Sequence, residues 1–284
     1  MLALPSPGGH EMTSSKVLTE RHGRVWLITI NRAEARNCVD SETAELLYEA
    51  VEVFRTDHEL DVLVLTGAGK EAFCAGFDLK YAYDSEVHIT RRAGAERYGP
   101  MGFTRVTDVY KPTIAAINGY CVAGGLELAC WCDFRICDET ARFGVLNRRW
   151  GVPLVDGGTQ RLPRIVGLGN ALYLIETGAL IDVHQALRMG LVQEVVPKGE
   201  ALERALAVAQ HMTTYPQTSL RNDRLAALWG LTLPLPDGLA LEAHLHRESL
   251  QAEEMQEGLR SYVERRRPEP LRPSPLPWEH ETSS

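Results

Sequence analysis

A single carboxylate, Glu127, sits in the apolar run "GGLELACWC", directly after two glycines. Burying a lone ionised Glu costs several kcal/mol unless it is paired or hydrogen-bonded. Gly124 and Gly125 let a ligand approach the backbone with no Cβ in the way. They open a segment that reads as a helix, whose N-terminal dipole favours a negative oxygen. A second glycine-bearing turn, "FCAGFDL" (73–79), and a third, "WGVPLVDGGTQRLPRIVG" (150–167), follow predicted strands or their ends. In open α/β sheets, ligands bind outside the carboxyl ends of the strands. One backbone N–H from each of the first two turns would make an oxyanion hole. Glu127, in the first turn of its helix, faces the same place. It is either a working acid or base there or an ordinary first-turn acid complementing the dipole; spacing alone leaves both open. Asp156, in the third turn, adds another carboxylate. Asp before Gly-Gly-Thr suits the N-cap of a helix starting near Gly157, and the cap reading is favoured over the acid.

Other motifs carry less. The nine histidines fall in no metal-ligand spacing, so no metal is expected. "VLTGAGKEAF" resembles a phosphate loop but lacks the Gly-Lys-Ser/Thr ending. Cys130 and Cys132 lack the two-residue gap of a zinc knuckle. The six cysteines read as small buried hydrophobes in a reducing, cytoplasmic setting.

Parallel strands and helices must position these turns. "RVWLITINR" (24–32) alternates as a strand, and "DSETAELLYEAVEVFRTD" (40–57) repeats as a helix capped by Asp40 or Ser41. "LDVLVLTGAG" (60–69) and the segment after Pro112 read as buried strands. "LELACWCDFRICDE" reads as a helix running into a further strand. This alternation predicts crossover units and a largely parallel sheet, hence an α/β fold. No internal repeat is visible. A flexible leader covers 1–16, the α/β core 17–200, a helical C-terminal region 201–268, and a Pro-rich tail 269–284.

At 44% hydrophobic residues, 284 residues suffice for one large core with an appendage. The net charge of −8 argues against a nucleic-acid partner. No apolar run is long and clean enough to span a membrane, and Pro and Gly interrupt the N-terminus where a signal peptide needs a continuous apolar core.

Five stretches in order, "NRAEARNCVD", "VLTGAGKEAFCAGFDLK", "KPTIAAINGYCVAGGLELACWCDFRI", "GGTQRLPRIVG" and "EEMQEGLRSYVERRRP", resemble the landmarks of the crotonase superfamily, the enoyl-CoA hydratase/isomerase family. The resemblance runs from about Val17 to Pro268. It implies the crotonase (ClpP/crotonase-like) fold, a core of repeated ββα units with a helical C-terminal region that supports a homotrimer or a dimer of trimers. It implies an acyl-CoA thioester substrate and no cofactor beyond the coenzyme A that the substrate carries. The thioester carbonyl would be held by the N–H groups of Phe77 and Gly124. Ala75, Gly76, Phe77, Asp78, Leu79, Lys80 and Gly125 would contact substrate; Trp150, by its residue type, either walls an acyl pocket or simply packs.

Family hydratases use two glutamates. One matches Glu127. The other sits in a segment of the form "FGxPE", which here is "FGVLN", so its position holds Asn147. An amide orients water but carries no proton at neutral pH. The catalytic candidates are therefore Glu127, Asn147 and Asp156. A hydratase-type lyase comes first, a double-bond isomerase or another lyase of the family second. The reading from a different class is an acyl-CoA-binding protein that has lost activity. Arg148 and Arg149 are placed to reach a substrate carboxylate, a CoA phosphate or a neighbouring subunit.

Overall fold

A computed structural model describes residues 15–84 and 98–268. The leader up to residue 14 and the tail from 269 lie outside the described residues. In chain order the first half runs β1 (Val17–His22), β2 (Val25–Ile30), α1 (Ser41–Thr56), β3 (Val62–Gly67), β4 (Ala72–Cys74) and α2 (Leu79–Asp84). Next come β5 (Thr113–Ile117), β6 (Tyr120–Val122), α3 (Gly124–Trp131), β7 (Phe134–Asp138) and β8 (Arg142–Gly144). After a 3-10 turn (Leu146–Trp150) follow α4 (Gly158–Val166), α5 (Leu168–Thr177), α6 (Val183–Arg188) and β9 (Glu194–Val196). Four helices close the described chain: α7 (Ala201–Met212), α8 (Gln217–Gly230), α9 (Leu235–Gln251) and α10 (Glu253–Glu264).

The strands form a six-stranded sheet, β1-β2-β3-β5-β7-β9, and a three-stranded sheet, β4-β6-β8. All pairings are parallel except the β1–β2 hairpin. The pairs β3/β4, β5/β6 and β7/β8 each give one strand to each sheet, which is the repeated ββα unit of the crotonase fold. The chain from β2 makes the same move with a single residue: Val39 bridges to Phe77 in parallel. The repeat lies in this winding, which explains why no periodic sequence signal accompanies it.

The central strands β3 and β5 of the six-stranded sheet are buried on both faces, so they read as continuous apolar runs, whereas the edge strand β1 is largely exposed. All six residues of β3 are buried. Leu63 and Leu65 join the main core with Leu47, Val51 and Phe54 of α1. Val62 and Val64 turn to the opposite face and meet Ala205 and Ala209 of α7. Asp40 caps α1 as expected, its Oδ1 accepting from Thr43 N–H at 2.8 Å, worth about 1 kcal/mol.

The helical C-terminal region is pinned by two ion pairs, one buried and one half-buried. Arg221 on α8 reaches Asp61 at 2.7 Å, and Arg224 grips both carboxylate oxygens of Asp133 at 2.7 and 2.8 Å. Glu254 of α10 accepts from the Gln217 and Thr218 N–H groups at 2.8 Å each, capping α8 from outside its own sequence.

Candidate active site

The first two glycine turns meet at the carboxyl ends of β4 and β6. Val39 N–H donates to Gly76 O, and Asp78 N–H donates to Val39 O, each at 2.9 Å. Within a trans peptide the C=O and N–H point opposite ways, and Gly76 O faces Val39, so the Phe77 N–H points away from Val39. The two turns touch: a Cβ on Gly76 (φ +101°) would lie 3.0 Å from Gly124 N and 3.0 Å from the Ala123 Cβ. Ala123 adopts φ 53°, ψ −127°, a conformation costing of order 1–3 kcal/mol in a non-glycine residue. It is held by its own N–H donating to Gly144 O at 2.9 Å and by Leu126 N–H donating to Ala123 O at 3.0 Å. Among the described residues, neither the Phe77 nor the Gly124 N–H donates to a protein acceptor, and both residues line one cavity of about 240 Å³.

Glu127 lines the same cavity and is 4% exposed. Its Oε1 accepts from Asp156 N–H at 2.9 Å and Gly158 N–H at 2.8 Å. Its carboxylate is thus bound to the first amide of α4, which has no helical partner, and to the Asp156 amide just before the cap, rather than to its own helix. Burial pushes the Glu127 pKa up to about 7, with Asp156 adding repulsion; the two amides and the Arg161 charge oppose the rise. A carboxyl group poised near neutrality takes and returns protons with little bias.

Asn147 stands on the 3-10 turn. Its Nδ2 donates to Val152 O at 2.8 Å and Val152 N–H donates to Asn147 O at 3.2 Å. With the amide locked in this way, Oδ1 is the atom left over: it is buried without a protein donor. Asn147 thus lines the cavity and keeps one buried acceptor without a protein donor.

Asp156 does not cap α4. The cap residue is Gly157, at φ 94°, with no side-chain cap bond. Asp156 Oδ1 instead accepts from Met101 N–H at 3.0 Å and from the Thr104 hydroxyl. Its pKa is raised, chiefly by burial. The expected cap fails because Asp156 lies one residue too early and its partners are more than fifty residues upstream.

Ala75, Phe77, Leu79 and Trp150 also line the cavity. Gly76 and Gly125 shape the turns without lining it; a Cβ on Gly125 would fall 2.0 Å from Cys74 O. Asp78 and Lys80 stand outside the wall. Asp78 is committed to Arg32 Nη2 at 2.9 Å and to the N–H of Tyr81 at 3.0 Å, and Lys80 is exposed on α2. Arg148 and Arg149 turn to the carbonyls of Ile175 and Gly178, at 3.2 and 3.1 Å. Sequence reasoning missed Met101, Val152 and Pro153 on the wall. Met101 is fully buried, and a Cβ on Gly124 would lie 2.9 Å from its Sδ. No motif or period marks it. Among the described residues, no cluster of His, Cys, Asp and Glu could hold a metal ion.

The sequence profile described as Enoyl-CoA hydratase/isomerase matches residues 20–270. The chain belongs to the enoyl-CoA hydratase/isomerase family. It is 33% identical over 259 residues to a short-chain-enoyl-CoA hydratase of Clostridium acetobutylicum, covering 90% of this chain and 97% of that one. It is 34% identical over 252 residues to an (E)-benzylidenesuccinyl-CoA hydratase of Thauera aromatica, covering 89% and 97%. Among solved structures, an enoyl-CoA hydratase of Mycobacterium marinum superposes with a TM-score of 0.82 at 30% identity, covering 89% of this chain and 98% of that one. The protein is thus an acyl-CoA-processing enzyme of hydratase/isomerase type with the crotonase fold.

Proposed function

We propose that the enzyme adds water across the double bond of a 2-enoyl-CoA thioester, with Glu127 as the sole proton carrier and Asn147 as the water holder. The observation that carries this reading is Glu127, fixed by two amides beside two unused N–H groups in one cavity, with a pKa of about 7. The thioester oxygen sits between the N–H groups of Phe77 and Gly124. Water donates one hydrogen to Asn147 Oδ1 and the other to Glu127. As the water oxygen bonds to C3, Glu127 takes its proton, and the C2–C3 π electrons move onto the thioester as an enolate. The two N–H dipoles stabilise that charge without reorganising. Glu127 then returns the proton to C2, and the enolate collapses to the 3-hydroxyacyl thioester. Atoms and charge balance, and the carboxylate is regenerated.

Coenzyme A enters as part of the substrate in this scheme, so no further cofactor is required. Self-association as a trimer or a dimer of trimers is supported by the apolar side chains that the C-terminal helices expose, Leu231 and Leu235 among them at 73% and 75%. The six cysteines, all unpaired, suit a reducing cytoplasm. No helix among the described residues is long and apolar enough to cross a membrane. Incubation with a panel of enoyl-CoA thioesters, followed by mass spectrometry, tests the reaction. The expected result is a product heavier by one water. Product of unchanged mass and altered retention identifies an isomerase, and binding without product across the panel overturns the catalytic reading.

A further inference from the structure

The segment 99–105 and the turn 155–161 are laced together from both sides. Asp156 Oδ1 accepts from Met101 N–H at 3.0 Å and from the Thr104 hydroxyl. In the other direction Arg161 Nη2 donates to Thr104 O at 2.6 Å, and Arg105 Nη2 donates to Val155 O at 3.1 Å. Arg161 Nη1 donates to the carbonyl of Asp156 itself at 3.1 Å. Asp156 therefore works with three of its parts: its N–H holds Glu127, its carboxylate holds the wall and its carbonyl is held by Arg161. Gly99 shows how tight the lacing is. At φ +91° its Cβ would come within 2.1 Å of Thr104 Oγ1 and 2.6 Å of Asp156 Oδ1.

We propose that Asp156 is a positioning residue and not a proton carrier: with Arg161 it clamps the segment 99–105, so that Met101 stays against Gly124 while Glu127 is fixed from the same backbone. With Oδ1 committed to two donors on the wall, the carboxylate cannot turn to a substrate without releasing the wall; whether its other oxygen carries a proton is what Asp156→Asn reads out. The clamp also explains a buried second carboxylate beside Glu127. It supplies the acceptor that Met101 N–H and the Thr104 hydroxyl need, since buried donors left without one are costly.

The test combines amide hydrogen exchange on the peptide containing Met101 with kinetics on three variants, of which the kinetic arm alone rests on the proposed hydration. Asp156→Ala removes the acceptor. Gly99→Ala forces Thr104 and Asp156 apart at the carboxylate and meets no atom of Glu127. Both are expected to speed exchange at Met101 by about ten- to a hundredfold, as the loss of a buried hydrogen bond predicts. Both should also lower kcat/KM. Asp156→Asn keeps an accepting Oδ1. It should retain protection and keep kcat within about tenfold of wild type. Its acidic limb should move to lower pH, because the charged groups facing Glu127 are Asp156 and Arg161, with the thiol of Cys130 beside them, and the variant removes the repulsive one. Turnover abolished in Asp156→Asn with protection intact would make Asp156 a proton carrier and overturn the proposal. Unchanged exchange at Met101 in both Asp156→Ala and Gly99→Ala would overturn the clamp. A protein that hydrates no thioester but shows the expected exchange would sink the hydratase reading and leave the clamp standing.

Discussion

Glu127 and Gly158 are fitted to each other: the Gly158 N–H donates to Glu127 Oε1 at 2.8 Å, and a Cβ on Gly158 would lie 2.9 Å from that same oxygen and 2.9 Å from the Glu127 Cγ. Gly158→Ala therefore pushes the carboxylate out of its cradle, although φ at this position is ordinary. Turnover is expected to fall by ~10²–10⁴-fold, the usual worth of a positioned acid or base, with a stability loss of about 1–3 kcal/mol from overpacking. Gly169→Ala is the control, since nothing lies within 4 Å of its Cβ position; it should leave kcat alone. Equal kinetics in the two variants would show that the cradle is unimportant.

Glu127 also predicts two opposite pH dependences. Its pKa rises from 4.5 to about 7 in the folded protein, first by burial and then by repulsion from Asp156. The deprotonated form accepts the water proton, so kcat for hydration should climb with pH through about 7 and level off above it. Stability runs the other way. The folded state binds this proton more tightly than the unfolded chain, so the contribution is fully present below about pH 4.5 and is lost as pH rises through 7. Glu127→Gln can still accept from both amides and is neutral throughout. It should abolish turnover by ~10²–10⁴-fold, leave KM nearly unchanged, and gain up to about 3 kcal/mol over wild type above pH 8. Urea unfolding at pH 5 and pH 8 measures the difference. A wild type whose stability does not fall between those two values would refute the raised pKa.

What the sequence disclosed depended on whether the signal was local. Asp40 could be recognised as a cap because its partner, Thr43, is three residues away. Glu127 and both glycine turns were visible because each turn carries its own reason for glycine. The three-stranded sheet left little trace, since β4, β6 and β8 have three residues each, too few for a period to emerge. Asp156 was misread for a related cause: its local pattern is that of a cap, while its carboxylate answers to Met101 and Thr104. Arg161 and Gly99 belong to the same long-range contact and had no signal of their own.

The strain at Ala123 separates stability from activity. Ala123→Gly relieves a φ of 53° and should raise stability by about 1 kcal/mol, discounted by the extra freedom that glycine gives the unfolded chain. A looser turn no longer aims the Gly124 N–H as firmly, so kcat should drop while Tm rises. Gly124→Pro deletes that N–H outright and should cost about 2.7–4 kcal/mol of transition-state stabilisation, provided circular dichroism shows a folded protein. Full activity in Gly124→Pro would remove the amide pair from the mechanism.

Asn147 decides how the enzyme differs from a hydratase with two glutamates. Its Oδ1 is a buried acceptor without a protein donor, and its Nδ2 is tied to Val152 O. In the proposed mechanism such an amide fixes a water and leaves all proton transfer to Glu127, so wild type should hydrate crotonyl-CoA slowly. Asn147→Glu adds a second proton carrier and an extra methylene that extends the carboxylate into the cavity. The rate on crotonyl-CoA should rise, with general acid–base help worth up to ~10²–10⁴-fold. Two effects work against the full gain. Val152 O loses its donor unless the new carboxyl group is protonated, and a third carboxylate near Glu127 and Asp156 raises the pKa of each. The variant's kcat should therefore show an acidic limb displaced to higher pH than wild type. Asn147→Leu, similar in size and without any acceptor, should be slower than wild type by losing the water. Fast crotonyl-CoA hydration by wild type, or no loss in Asn147→Leu, would show that Glu127 manages the water alone.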